Sequence, residues 1–479
     1  MGIAEGRLRR LLERPATTGV RTLYIRGLAL VHVIAFLSVW GQAQALIGHD
    51  GLAPFAELFA AAEAQLGPEA PWALPSVLWL SPTDTALHVA CGLGTLVAFA
   101  ILAGAPFAGP LLLGLAILYV SLSSAGWVFY NFQWDTLLVE TTVVAAFVAP
   151  WRRDAPEPPL AAWLLQWWLL FRLMFFAGVV KLTSGDPTWA NFTALDVHFW
   201  TQPLPNPLSR LAHFAPGWLH AVGVGGTFVV ELGLPFLILA GRHARWVAFV
   251  GFTGLMLGLT VTGNYGFFQL LSIVLALTLL DDEHLAWFGC RPRPMPPRPP
   301  FGRTAAITAG VALFTLSVLQ LVPASRRPEV GQQALQVVRP FRIVNRYGLF
   351  ANMTTDRPEV IFEGSTDQGA TWTELPLRYK PGPLDRVPPQ VAPHMPRLDW
   401  QLWFAALGDC RRHPWVVRLM REVANGNPRM DGFFRPGTFD EGRPAWVRAV
   451  RYRYTFAPFG EGRVWNRVRL GPYCQGVVR

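Results

Sequence analysis

The chain reads as a polytopic α-helical membrane domain of about nine spans followed by a C-terminal extramembrane β-rich α+β domain. Three observations predict this. Charged residues make up 15% of the sequence and hydrophobic residues 52%, whereas a soluble domain carries about 25% charged residues. Apolar runs close to the roughly 20 residues that cross a bilayer recur through the first two-thirds. The charge is also uneven: up to Pro323 there are 17 Lys and Arg against 17 Asp and Glu, and from Ala324 onward 24 against 14, so the net +10 lies in the tail.

Residues 1–21 form a basic cytoplasmic start, including GRLRRLLERP. The apolar run behind it is long and lacks a small-residue cleavage site, so it reads as a membrane helix and not as a cleaved signal peptide. Spans are expected near 22–47, 85–104, 107–126, 134–150, 160–181, 218–240, 246–262, 264–280 and 304–322. The first eight make a bundle over 22–280. Within it, segment 48–84 carries PFAELFAAAEAQL and PWALPSVLWL and is expected to lie at the interface. The Pro/Arg-rich linker in 281–303, CRPRPMPPRPPFGR, must be irregular and separates the bundle from the last span, 304–322.

Orientation follows from Lys and Arg in short loops. With nine spans, Arg7, Arg9, Arg10, Arg14, Arg152, Arg153, Arg242, Arg245, Arg291, Arg293, Arg298 and Arg303 all fall on one side, the cytoplasmic one. Segments 48–84 and 127–133, the loop 182–217 and the domain 324–479 then face the exoplasm. The tail's own basic charge does not oppose this, because long domains translocate largely regardless of charge. That charge suits anionic headgroups or an acidic client. No nucleic-acid motif accompanies it.

In the tail, EVIFEGSTDQGATWTELPLRYK alternates around a glycine-containing turn and predicts a hairpin. RLDWQLWFAALG and PWVVRLMREVANG have helical periodicity and end at glycine. AWVRAVRYRYTF and GRVWNRVRL alternate apolar residues with arginine, as strands with one basic face. The four cysteines, Cys91, Cys290, Cys410 and Cys474, form no CxxC, so neither a thioredoxin-like motif nor a metal site is expected. Cys410 and Cys474 could pair outside the cytosol or remain two thiols.

Most chemistry-bearing residues gather in 169–216, LLFRLMFFAGVVKLTSGDPTWANFTALDVHFWTQPLPNPLSRLAHFAP, and in NFQWDTLLVE at 131–140. Glu140, Arg172 and Glu231 fall near the midplane, each costing on the order of 2.5–3.5 kcal/mol if alone. Arg172 is expected to pair with Glu140 or Glu231, and Arg172 and Glu231 are read as a buried packing pair. Gln133, Trp134 and Asp135 sit at the outer interface, level with Lys181. A lysine at a helix end commonly snorkels to the headgroups. Alternatively, desolvation under the loop makes Lys181 a general base, with Asp135, Glu140 or Asp186 assisting. Trp189, Asn191, Asp196, His198, Gln202, Asn206 and His213 in the loop, with Asp399 and Trp400 in the tail, are the candidate binding residues. Asn191–Thr193 and Asn352–Thr354 match glycosylation tripeptides, but the Ala/Gly/Pro/Arg-rich composition points to a bacterial gene. P-loop, Rossmann, HExxH and GxSxG signatures are absent.

FQWDTLLVE, the 169–216 stretch and PHMPRLDWQLWFAALG resemble the hallmark segments of the lipase maturation factor family, over about 24–473. The resemblance implies a polytopic membrane protein that helps client proteins mature, lipases among them in eukaryotes, where the C-terminal domain faces the endoplasmic reticulum lumen. The bacterial equivalent is the inner membrane with a periplasmic tail. FFAGVVKLTSGDPTW also resembles, more distantly, vitamin K-dependent gamma-carboxylase, which would make Lys181 the base acting on a lipid quinone. Two readings follow: a maturation factor with client proteins and membrane lipids as partners and no established cofactor, or a quinone-dependent membrane enzyme. A structural or sensing protein is a third.

Overall fold

The computed structural model describes residues 16–153, 157–287, 289 and 300–478. Arg7, Arg9, Arg10, Arg14, Arg291, Arg293, Arg298 and Cys290 lie outside the described residues. Among the described residues nine helices of the bundle follow in order: α1 Thr18–Ile47, α2 Asp84–Leu102, α3 Ala108–Ala125, α4 Gln133–Ala145, α5 Leu160–Thr183, α6 Gly217–Phe228, α7 Arg242–Thr262, α8 Phe268–Ala276 and α9 Pro300–Leu321. The sixth continues through a π-turn, Val229–Gly233, and a 3-10 segment, Leu234–Leu239.

Among the described residues seven of these passes are long and apolar enough to cross a membrane; α4 and α8 are not. At 1.5 Å per residue the 13 residues of α4 reach about 20 Å, short of the ~30 Å hydrocarbon core. They are interior helices. Ten of the 13 residues of α4 are buried, as are seven of the nine in α8. Irregular backbone at membrane depth is tolerated where protein covers it, so a pass enclosed by other helices can be brief. The spans expected over 134–150 and 264–280 are therefore shorter than their apolar runs.

The two ends of the bundle differ. At one, the Gly19 and Val20 amides donate to the Asp282 carboxylate at 3.0 and 2.9 Å, and Arg242 donates to Asp281 at 2.7 Å. This end also carries Arg152 and Arg153, both exposed. Arg245, expected as a loop cation, is buried instead, its guanidinium 4.8 Å above the Trp167 ring. At the opposite end the bundle meets the tail, where Ser38 and Gln42 of α1 bond to Met395 and Arg397.

The tail opens with α10, Glu329–Val338, and holds a four-stranded antiparallel sheet in the order β2-β1-β3-β4. β1 is Pro358–Ser365, β2 Thr373–Leu375, β3 Trp446–Phe456 and β4 Trp465–Val478. The predicted hairpin is β1–β2, with Phe362 opposite Leu375. The two expected helices are α11, Arg397–Leu407, and α12, Pro414–Ala424. The basic strand face is largely met by acids: Arg448 bonds Glu363 at 2.7 Å, Arg453 bonds Asp356 and Arg467 bonds Glu374 at 2.7 Å.

Cys410 and Cys474 are joined by a disulfide, 64 positions apart. Closing a loop of that length stabilises the chain by about 4 kcal/mol in the loop-entropy account. A Cys410→Ser/Cys474→Ser variant of the full chain should therefore lose protease resistance in the tail at a lower denaturant concentration, which limited proteolysis in detergent measures.

Candidate functional site

The residues singled out by sequence converge on the junction between bundle and tail. The element that organises this junction is the extended segment 342–353, which follows α10 and crosses the outer end of the bundle. Arg342 donates to the Tyr130 carbonyl at 3.2 Å and the Ser123 carbonyl at 3.1 Å. The Asn345 amide and side chain each donate to Glu140 at 2.9 Å, and Tyr347 donates to it at 2.6 Å. The Gly348 amide reaches Gln133 at 3.4 Å. The Phe350 carbonyl accepts from the Trp189 indole at 3.0 Å, and the Met353 amide donates to Asp186 at 2.6 Å.

Three buried charge clusters lie beneath. In the first, Arg397 of α11 forks onto Asp135 at 2.7 and 2.8 Å, and Tyr119 donates to the same carboxylate at 2.6 Å. Arginine and aspartate are both fully buried. In the second, Arg172 donates to Glu140 and to the Asn345 carbonyl. In the third, Lys181 donates to both oxygens of Glu231, at 2.9 and 2.8 Å, and sits 5.3 Å over the Trp189 ring. Glu231 belongs to the π-turn of the sixth pass. Such turns insert an extra residue and re-aim side chains, and here the close approach uses Gly178, where a Cβ would lie 2.7 Å from Leu232.

These contacts choose Glu140 from the two expected partners of Arg172 and correct the Arg172–Glu231 pair. Arg172 and Glu231 are not partners: Arg172 takes Glu140 and Glu231 takes Lys181. The reason is level along the helices, since Lys181 is two and a half turns beyond Arg172 on α5. Lys181 does not snorkel either. Its side chain is 4% exposed, and Nζ donates to Glu231 and to the Ala177 carbonyl, so it points at bonded partners and not at the headgroups. Asp135, Glu140 and Lys181 face different partners and do not form one acid–base group. Asp186 caps the helix Pro187–Ala190 by accepting from the Thr188 amide at 2.8 Å.

The loop residues also act as interface. Gln202 donates to the Thr262 carbonyl at 2.7 Å and accepts from Tyr265 at 2.7 Å. His198 faces the same tyrosine hydroxyl at 3.1 Å. Asn206 bonds Gln390 of the tail at 3.0 Å. Asp196 bonds His220 at 2.7 Å, His213 lies 5.7 Å from the Phe456 ring, and Asn191 is exposed. From the tail side, α11 presents Arg397, Trp400 and Trp403 at one-turn spacing. Trp400 meets the edge of Trp134 at 4.8 Å and Trp403 donates to the Thr201 carbonyl at 2.9 Å. Asp399 points back into its own domain, accepting from the Tyr379 and Lys380 amides.

Several interface residues carried no sequence signal. Arg357 donates to the Trp200, Gln202 and Pro203 carbonyls, holding the TQPLP turn. Asn264 donates to the Pro205 and Pro389 carbonyls and accepts from the Val391 and Ala392 amides. One arginine in an Arg-rich tail, and one asparagine in a loop, look ordinary until their partners are known.

Beside this sealed interface lies an open groove of about 990 Å³. Its walls come from both domains: Leu52, Pro54 and Leu58 of the interfacial segment, Trp127, Val128 and Phe132 of the α3–α4 loop, and Phe404, Trp415, Arg412 and Arg418 of the tail. Lys181 does not line it.

Residues 19–287 match the lipase maturation factor transmembrane domain family, and residues 343–475 match the lipase maturation factor C-terminal domain family. The chain belongs to the lipase maturation factor family. Human lipase maturation factor 2 is 34% identical, across 93% of this chain and 81% of its own. Bovine lipase maturation factor 1 is 32% identical, across 99% of this chain and 92% of its own. No solved structure matches the chain. The two family segments are the two sides of the junction, so the family's hallmark motifs fall largely on an interdomain seam.

That seam is predicted to weaken in acid. Burial holds His198 at a pKa of about 4, aided by Lys181, and holds His394 at about 4, aided by Arg397 and Arg378. Both are neutral in the fold and bind protons more readily when unfolded, so stability falls as pH drops from about 6.5 towards 4. Asp399 opposes this: burial raises it to about 6, so it favours the fold on the acid side of that value. Tail undocking followed by hydrogen exchange should accelerate over this window, and unfolding of the tail itself should steepen in Asp399→Asn, which removes the opposing group from the tail's own fold.

Proposed function

We propose that this protein assists the maturation of lipase-like client proteins and that clients engage the open groove at the junction. The observation that carries the reading is the groove itself: both family domains build it, its walls are apolar with exposed aromatics, and Arg412 and Arg418 stand at one side. Trp127 is 56% exposed and Phe404 42%, the kind of unpaired aromatic surface that recognises partners. We infer further that the tail faces the exoplasm, which in a bacterium is the periplasm of the inner membrane. The bias of short-loop arginines towards the other end and a disulfide suited to an oxidising compartment support that orientation.

The test is co-expression of a secreted lipase with the wild type and with Trp127→Asp and Phe404→Asp. Both residues are exposed enough for the fold to tolerate the change. Client affinity in pull-down should fall at least about tenfold, as for an aromatic anchor, and the yield of active lipase should fall with it. Unchanged capture and unchanged lipase activity in both variants would overturn the assignment of the groove.

A further inference from the structure

We propose an anionic-phospholipid site where the last pass leaves the membrane, formed by Arg327 and Arg346 over the C-terminus of α9, with Arg326 and Arg339 flanking in sequence. Arg327 donates to the Val322 carbonyl at 2.8 Å and the Gln320 carbonyl at 3.1 Å. Arg346 donates to the same two carbonyls, at 3.0 and 2.5 Å. One guanidinium is enough to cap a helix C-terminus and match its dipole. Two on the same pair of oxygens leave cationic charge in excess; burial first, and then the neighbouring Arg327, lower the affinity of Arg346 for its proton.

That excess has no internal answer. From Ala324 to Arg346 the sequence holds five arginines against one acid, Glu329. Among the described residues, none of Arg326, Arg327, Arg339 or Arg346 has a carboxylate partner. Elsewhere among the tail's described residues ten arginines are matched by acids, while Arg378, Arg386, Arg411, Arg421, Arg435, Arg451 and Arg469 are not; what sets this stretch apart is that its unmatched arginines gather at the end of a membrane helix.

Position and hydrophobicity select a lipid as the anion. α10 folds back onto the end of α9, so closely that a Cβ added at Gly331 would lie 3.3 Å from the Leu319 side chain, and it lies level with the last turn of a membrane helix. Gly331 and Leu335 face that pass and are buried. Val330 and Val337, one heptad apart, are 77% and 68% exposed. A helix at the interface with an unpartnered valine edge and arginines at both ends matches a headgroup phosphate at the guanidiniums and acyl chain along the valines.

The experiment titrates the full-length protein, in neutral detergent, with phosphatidylglycerol and with phosphatidylcholine, and counts bound lipid by native mass spectrometry. Wild type should bind phosphatidylglycerol more tightly than phosphatidylcholine. Arg327→Gln/Arg346→Gln should weaken phosphatidylglycerol binding by roughly tenfold, given the usual contribution of each basic residue at a membrane surface, with phosphatidylcholine unchanged. Arg326→Gln/Arg339→Gln leaves the α9 caps in place and carries the test if the first variant does not fold; it should weaken the same lipid by several-fold. Equal binding of the two lipids by wild type, or unchanged phosphatidylglycerol binding in the folded variants, would overturn the site.

Discussion

Arg397→Leu is expected to destabilise the folded chain by about 3–5 kcal/mol, the usual consequence of removing one member of a buried ion pair. The loss should appear as undocking of the tail. Arg397 comes from α11 and Asp135 from α4, both fully buried, and Tyr119 donates to the same carboxylate. Without the guanidinium, a buried carboxylate loses the cation bonded to it. The Phe129 carbonyl also loses its donor. Asp135→Asn combined with Arg397→Leu removes that stranded charge and should recover a substantial part of the loss. Thermal unfolding in detergent, with proteolysis to report the tail, measures both. Additive losses in the double variant would mean that the two residues contribute separately and that the seam is held elsewhere.

Arg172→Leu is expected to be nearly as damaging, and its partner identifies the mechanism. The guanidinium holds Glu140, which also accepts from Asn345 and Tyr347 of the segment 342–353. Losing Arg172 leaves a buried carboxylate inside the bundle and loosens the segment that crosses it. Glu140→Gln should rescue Arg172→Leu, whereas Glu231→Gln should not, because Glu231 is engaged by Lys181. Double-mutant cycles on folded yield should give a coupling of about 1–3 kcal/mol for Arg172 with Glu140 and near zero for Arg172 with Glu231. Lys181 with Glu231 should couple on the same scale. A coupling between Arg172 and Glu231 would contradict the pairing described above.

The groove and the lipid site are built from different residues, and they make separable claims. Under the proposed function, client capture is assigned to Trp127 and Phe404, at the α3–α4 loop and α11. At the proposed lipid site, lipid selectivity is assigned to the arginines around the end of α9. Variants in one are expected to leave the other intact, so a loss of both would point to a global failure of tail docking.

Much of this protein was legible in its residues. Long apolar runs announce membrane passes because a bilayer core demands about 20 apolar residues with internal backbone bonds. Alternation gave β1, β3 and β4, and helical periodicity gave α11 and α12, because one face of each must be buried. The hallmark motifs carried the family. The depth of α4 and α8 was not legible, since an apolar run looks the same whether lipid or protein surrounds it.

The partner of each charge was decided only by the tertiary structure. Sequence requires that Glu140, Arg172 and Glu231 be compensated, since an unpaired ion in a membrane is costly. It does not say which helix faces which. Lys181 sits two and a half turns from Arg172, so the two cations meet different acids. Asp135 finds its arginine 262 positions away, and Glu140 finds Tyr347 207 positions away. Charge and hydropathy are local properties that a sequence displays directly; partnership in a buried seam is fixed by helix rotation, by the π-turn at Glu231 and by where the segment 342–353 crosses the bundle.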